Sequence, residues 1–244
     1  MSLFWQKNNL ILEWLPRIQS HRGYCVSGLQ ENTLASIQKA FSLGYQMVEF
    51  DVRMTADGVL VLHHDEYCDG FKLEKNNYEK LKNSKVVDSL EQVLDWLASQ
   101  KNNLLKYNIE LKSRSIISSK LERKMCYLIM KYDLGHQVLV SSFNPLALAW
   151  VRFYMPSMFR ALLLSFEDHA DNKWYLKLMV FNFLSRPHVL NLRFQDWDNS
   201  IFSEIIKKVP IVLWTCNDLL YAKKVLNQVH GIISDEIIPQ SLKD

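Results

Sequence analysis

The sequence predicts an α/β fold, a (β/α)8 TIM barrel with a β-hairpin extension after its second strand, and three observations predict it. Short apolar, β-branched runs alternate with longer segments of helical spacing along the chain. With one hairpin partner set aside, eight such runs and seven intervening helical segments remain. The length, 244 residues, matches the ~250 typical of this architecture. An open doubly wound sheet is the alternative. No Pro/Gly-rich linker or charge block divides the chain, so residues 1–244 are read as one domain.

The first strand is "RIQSH" (17–21), followed by a helix in "NTLASIQKAFSLG", with Asn32 or Thr33 as N-cap and Gly44 as its stop. "MVEFDV" (47–52) and "VLVLH" (59–63) flank the turn-rich "RMTADG", whose Asp-Gly marks a hairpin. A helix in "DSLEQVLDWLASQ" leads to the strand "KYNIEL" (106–111). "SKLERKMCYLIMKYDLG" and "NPLALAWVRFYMP" are helices on either side of "QVLVSS" (137–142). "ALLLS" (161–165) precedes an apolar stretch near 174–184, and "VLNLRF" (189–194) precedes the helix "SIFSEIIKKV". The strands "IVLWT" (211–215) and "GIISD" (231–235) enclose the last helix, "DLLYAKKVLNQVH".

Composition narrows the function. Hydrophobic residues make up 48% and charged residues 23%, as in a soluble globular protein, and a net charge of +3 gives no support to nucleic-acid binding by bulk electrostatics. Cys25, Cys68, Cys126 and Cys216 are widely spaced without a CxxC or metal-type grouping, which predicts reduced thiols and a cytoplasmic setting. The N-terminus lacks the pattern of a signal peptide, and no run of 18 apolar residues predicts a transmembrane segment.

Chemistry gathers at the C-terminal ends of the strands, the rim on which barrel enzymes build their sites. On an extended backbone residues i and i+2 share a face, so Glu49 and Asp51 of "EFD" project together while Val48, Phe50 and Val52 face the other way. Glu110 joins them from the next barrel strand. Three converging carboxylates suit either a hard divalent ion, Mg2+ or Ca2+, or ion pairing with Arg22, Arg53 or Lys112. His21 and His64 are candidate proton-exchanging groups on the same rim. Strand parity allows only one of His63 and His64 to point inward and does not choose between them. Arg22 and Lys112 supply positive charge suited to a phosphate oxyanion, or neutralise the neighbouring acids.

"HRG" (21–23), "ENT" (31–33), "EFDVRMTADG" (49–58), "HD" (64–65), "IELK" (109–112), "SSFNP" (141–145), "LWT" with Asn217, and "GIISD" (231–235) occur in an order that resembles the glycerophosphodiester phosphodiesterase family, of the compact bacterial cytosolic type. The resemblance spans nearly the whole chain. It implies a TIM barrel that uses one divalent cation, Mg2+ or Ca2+, to hydrolyse glycerophosphodiesters to sn-glycerol 3-phosphate and an alcohol. It assigns the metal to Glu49, Asp51 and Glu110, catalysis to His21 and His64, and substrate binding to Arg22, Lys112 and Trp214, the last on the glycerol side. It selects His64 over His63 because the family's histidine directly precedes the Asp. Glu31 matches the acid of "ENT" and is expected to orient the groups around it, while Asn32 and Thr33 need no role beyond helix capping.

The chain departs from the family at Gln30, where many members have Pro, and at "EYCDGFKLEKNNYEK" after "HD", which bears on substrate contacts near that loop. Two other functions stand beside the first: phospholipase D-type hydrolysis of lysophospholipids, and a catalytically silent binding barrel. The apolar "KWYLKLMVFNFLSRP" (173–187) is read as a buried helix on the barrel exterior, with a lid, a peripheral membrane contact near 174–184 or a dimer contact as alternatives. "FEDHAD" before it is read as a solvated loop and helix cap, with a second metal site as the other reading.

Overall fold

Side-chain alternation in eight parallel strands builds a closed wall with a different chemistry on each face. The structure, a computed structural model, describes residues 4–6, 8–26, 28–84, 87–113, 118–167, 181–197 and 209–243. Its strands are β1 (Ile18–His21), β2 (Met47–Met54), β3 (Leu60–Leu62), β4 (Tyr67–Cys68), β5 (Phe71–Lys72), β6 (Lys106–Leu111), β7 (Val138–Ser142), β8 (Phe159–Leu164), β9 (Val189–Arg193), β10 (Ile211–Trp214) and β11 (Gly231–Ser234). All except β3, β4 and β5 form the barrel, in sequence order. It closes where β1 pairs in parallel with both β2 and β11, through Ser20↔Val48 and Ile18↔Ile232. The TIM barrel is thus present. So is the expected hairpin: β3 pairs antiparallel with the end of β2.

The helices are α1 (Leu10–Trp14), α2 (Leu34–Ser42), α3 (Tyr78–Ser84), α4 (Leu90–Ser99), α5 (Lys120–Lys131), α6 (Pro145–Tyr154), α7 (Asn182–Ser185) and α8 (Leu219–Val225). Capping explains several starts. Thr33 and Ser89 each accept from the backbone N–H three residues on, within capping boxes, and each cap contributes about 1 kcal/mol. Asn144 caps α6 with Pro145 at the first helical position, and Asp218 caps α8. The helix expected in "SIFSEIIKKV" and most of the apolar 173–187 segment lie outside the described residues. Among the described residues no helix is long and apolar enough to cross a membrane.

Val48, Phe50 and Val52 enter the main core between barrel and helices, where Phe50 meets Tyr107 edge-on at 5.0 Å. Met47 points the other way, into an interior cluster with Leu139, Ala161, Val189, Val212 and Ile233. Ile11 and Leu15 join this cluster, so α1 stoppers the N-terminal end of the barrel. Trp14 fastens it there, donating Nε1–H to the His136 carbonyl at 2.9 Å and accepting from Lys106 Nζ at 2.6 Å through its own carbonyl. With one mouth filled by side chains, chemistry is left to the C-terminal mouth.

Candidate active site

Register brings the charged residues together. His21 lies opposite Glu49 across β1 and β2, and Asp51 lies opposite Glu110 across β2 and β6. One carboxylate oxygen from each of Glu49, Asp51 and Glu110 lies within 4.8 Å of the others, and all three residues are buried. Two oxygens sharing an ion stand at most about twice the metal–oxygen distance apart, ~4.2 Å for Mg2+ and ~5 Å for Ca2+. The cluster has the donor chemistry of a divalent-cation site and a span within the Ca2+ limit.

Ion pairing explains part of this cluster. Asp51 Oδ1 lies 2.9 Å from Lys112 Nζ and Oδ2 lies 3.2 Å from Arg22 Nε. Burial works against its charge, but these cations hold the carboxyl well below the usual carboxylate range. Lys112 also pairs with Glu110, whose pKa burial nevertheless raises. Among the described residues Glu49 has no Lys or Arg ion-pair partner. Its Oε2 accepts from the Arg22 backbone N–H at 3.2 Å and stands 3.9 Å from His21 Nε2, while its buried Oε1 has no hydrogen-bond partner. Burial and the Asp51 charge push Glu49 up to about 8. Glu49, whose one ion-pair contact among the described residues is the His21 ring at 3.9 Å, is the acid of the three that a further positive charge would serve best.

The two histidines flank the cluster. His21 Nδ1 lies 2.6 Å from Asp235 Oδ1, so Nδ1–H donates there and Nε2 is turned toward Glu49. Burial lowers the His21 pKa, but the Asp235 hydrogen bond and the Glu49 charge outweigh it and leave it raised. His64 Nδ1 is held 2.8 Å from Asp65 Oδ1, and the Arg53 Nε–H donates to the His64 carbonyl at 2.8 Å. Burial, then Lys112, lowers its pKa, so its imidazole is within electrostatic reach of the cluster. His63 instead points Nδ1 at the Asp65 carbonyl, 3.1 Å away.

The "HRG" turn fits this rim for a steric reason. Arg22 has φ 53° and Gly23 φ 82°, and a side chain at Gly23 would collide with Ser36 of α2. Arg22 Nη1 reaches Glu31 at 3.1 Å, so Glu31 holds the guanidinium from the solvent side. Across the mouth, Trp214 donates Nε1–H to the Asn191 carbonyl at 3.0 Å, and its ring meets Phe143 edge-on at 5.6 Å. Phe143 follows β7 and Trp214 ends β10, so the two rings bridge the ends of β8 and β9 and wall the mouth opposite Glu49. Glu167 of "FEDHAD" pairs with Arg193 at 3.0 Å, and the remaining four residues of that run lie outside the described residues.

Two contributors were not anticipated from the sequence. Asn32, expected only to cap a helix, leaves that task to Thr33 and grips Asp51 at both ends. Its Nδ2–H donates to Asp51 Oδ2 at 3.0 Å and its Oδ1 accepts from the Asp51 backbone N–H at 2.9 Å. The signal available was Asn at a left-handed position, φ 56°, next to a better cap. Asp235 ends the motif "GIISD", to which the sequence assigns no role. It orients His21 and is itself held by Asn217 Nδ2–H at 2.8 Å, with Asn217 Oδ1 accepting from the Asp235 N–H at 2.9 Å.

Known proteins resemble this chain in sequence and in fold. A sequence model of the glycerophosphoryl diester phosphodiesterase family matches residues 21–238. A glycerophosphodiester phosphodiesterase of Caldanaerobacter subterraneus is 29% identical over 247 residues, covering 91% of this chain and 94% of that protein. One from Bacillus altitudinis is 31% identical over 180 residues, covering 67% and 72%. Among solved structures, an Oleispira antarctica phosphodiesterase in complex with the product sn-glycerol-3-phosphate superposes with a TM-score of 0.71 at 24% identity, covering 95% of this chain and 96% of that one. At that identity the likeness speaks for the fold alone.

Proposed function

The chain belongs to the glycerophosphoryl diester phosphodiesterase family, and on that premise we propose that its C-terminal mouth hydrolyses glycerophosphodiesters to sn-glycerol 3-phosphate and an alcohol. The observation that supports the reading is the buried cluster of Glu49, Asp51 and Glu110, in which Glu49 has no Lys or Arg ion pair among the described residues and His21 Nε2 stands 3.9 Å from it. Glu49, Asp51 and Glu110 would hold the divalent cation, Mg2+ or Ca2+. Bound there, it supplies positive charge to the phosphoryl oxygens.

The remaining steps belong to the chain's own groups. Arg22 and Lys112, held in place by Glu31, Asp51 and Glu110, face the phosphate and stabilise the charge that grows on it. One of His21 and His64 takes the proton of the attacking hydroxyl, and the other gives a proton to the departing alcohol oxygen. Asp235 and Asp65 fix Nδ1–H of the respective rings, which leaves Nε2 to exchange the proton. Trp214 lines the glycerol side. A chain carrying all of these groups is not a silent binding barrel.

The test is product analysis after chelation and add-back of Mg2+ or Ca2+. Release of glycerol 3-phosphate from glycerophosphocholine is expected, and choline release from lysophosphatidylcholine in its place would favour the phospholipase D-type reading. His21→Ala and His64→Ala should each lower turnover by ~100-fold or more with folding intact. Near-normal activity in either variant removes that histidine from the mechanism.

A further inference from the structure

Residues paired across neighbouring strands point to the same side of the wall, and this places four polar side chains inside the barrel. Gln19 pairs with Ile233, Asn108 with Leu139, Ser141 with Ala161 and Asn191 with Val212, and each of these apolar partners belongs to the interior cluster. All four polar residues are at most 1% exposed. They adjoin the acids from within the wall: Asn108 also lies opposite Glu49, and Ser141 opposite Glu110. Asn191 takes the Trp214 Nε1–H on its carbonyl, so the same group of residues reaches beneath the aromatic side of the mouth.

The hydrogen bonds of this group do not close among themselves. Asn108 Nδ2–H donates to Gln19 Oε1 at 2.9 Å, but Gln19 Nε2, Asn108 Oδ1, Ser141 Oγ and both polar atoms of the Asn191 side chain have no hydrogen-bond partner among the described residues. Ser142, which faces outward, gives the contrast: its hydroxyl reaches the Leu111 carbonyl at 2.8 Å. Buried polar atoms in folded proteins are paired with protein or with ordered water, because stranding one is costly. The unmet atoms here are of both kinds. The amide nitrogens only donate, the amide oxygens only accept and the serine hydroxyl does either. A cation would serve the oxygens and leave the N–H groups unmet, whereas water serves both. We propose that the barrel interior beneath the three carboxylates is a binding site for ordered water, held by Gln19, Asn108, Ser141 and Asn191. Glu49 and Glu110 then stand on a hydrated floor instead of packed hydrocarbon, whichever reaction the mouth performs.

Three measurements on the full chain test this, all made with chelator present so that cation binding plays no part. A high-resolution crystal structure should show solvent within hydrogen-bond distance of at least two of the four side chains. Deuteron magnetic relaxation dispersion counts waters of long residence, and Asn191→Leu, which fills the space with hydrocarbon, should lower that count. Ser141→Ala adds no bulk and should lower Tm by ~1–4 °C through loss of its bond to water. An interior without solvent density, a bound ion recognised by oxygen contacts of ~2.4 Å in place of water, or an unmoved water count in the leucine variant would each overturn the proposal. So would an unchanged or higher Tm for Ser141→Ala, the result expected if that hydroxyl has no partner to lose.

Discussion

Replacing Asn32 should unsettle the centre of the site without touching a charged group. Its side chain donates to a buried carboxylate and accepts from a buried backbone N–H, and its own φ of 56° suits Asn far better than Ala. The bond to the Asp51 carboxylate is of the charge-assisted kind, worth ~1.5–3 kcal/mol, and the orphaned Asp51 N–H costs a further ~1–3 kcal/mol. Placing Ala at a left-handed position adds ~1 kcal/mol. Because these terms share partners they do not add fully, and Asn32→Ala should lose about 3–5 kcal/mol in urea unfolding with chelator present. Asn32→Gly loses the same hydrogen bonds but not the backbone fit, and should be ~1 kcal/mol milder. In both variants the Mg2+ or Ca2+ concentration for half-maximal activity should rise ~10–100-fold, because Asp51 is no longer held. A loss under about 1 kcal/mol in both variants, or a Gly variant weaker than the Ala variant, would refute the clamp.

Asp235→Asn, which deprives His21 of its carboxylate partner, should lower kcat ~10–100-fold and leave the thermal shift on adding Mg2+ or Ca2+ unchanged, since Asp235 is not among the three acids. Glu49→Gln removes the carboxyl that burial and Asp51 push up to about 8. Differential scanning fluorimetry should show Tm in chelator rising by ~5 °C and the metal-induced shift lost, whereas a lower Tm with the shift retained would count against the site. His188 is buried at the start of β9, accepts from the Arg160 N–H through Nδ1 at 3.2 Å, and is driven down to about 3 by burial and Arg160. The folded state keeps it neutral and the unfolded chain protonates it below about 6.5, so its contribution is intact above that pH and is lost progressively toward about 3. Equilibrium unfolding should weaken by ~2 kcal/mol between pH 6.5 and 5, and His188→Asn, which keeps an acceptor for Arg160, should flatten that slope.

The barrel was legible because a parallel strand buried on both faces writes an apolar run; eight such runs fall on the barrel strands and a ninth run on the antiparallel β3. Glu49, Asp51 and Glu110 were legible for the opposite reason, since a carboxylate inside such a run needs a cause. Spacing alone could not separate metal from ion pair; Asp51 and Glu110 each meet Lys112, while among the described residues Glu49 meets no Lys or Arg in an ion pair and stands 3.9 Å from the His21 ring. Asn32 and Asp235 were harder. Asn before Thr reads as a helix start by local rules, and only the tertiary meeting of the "ENT" turn with β2 reveals its other partner. The Asp235–His21 contact joins residues 214 positions apart, beyond any periodicity. The stopper helix α1 and the β4–β5 ribbon were unread because five- and two-residue elements are too short to show a period.

The seam between β1 and β11 also sets a timetable. Ile18 finds Ile232, and His21 finds Asp235, only once the 214 positions that separate the latter pair have been synthesised. Such long-range pairing is slow to form, and until it does the nascent chain holds its three acids but lacks an oriented His21. Hydrolytic competence would then wait on closure of the barrel, and turnover becomes a sensor of whether its first and last strands have met.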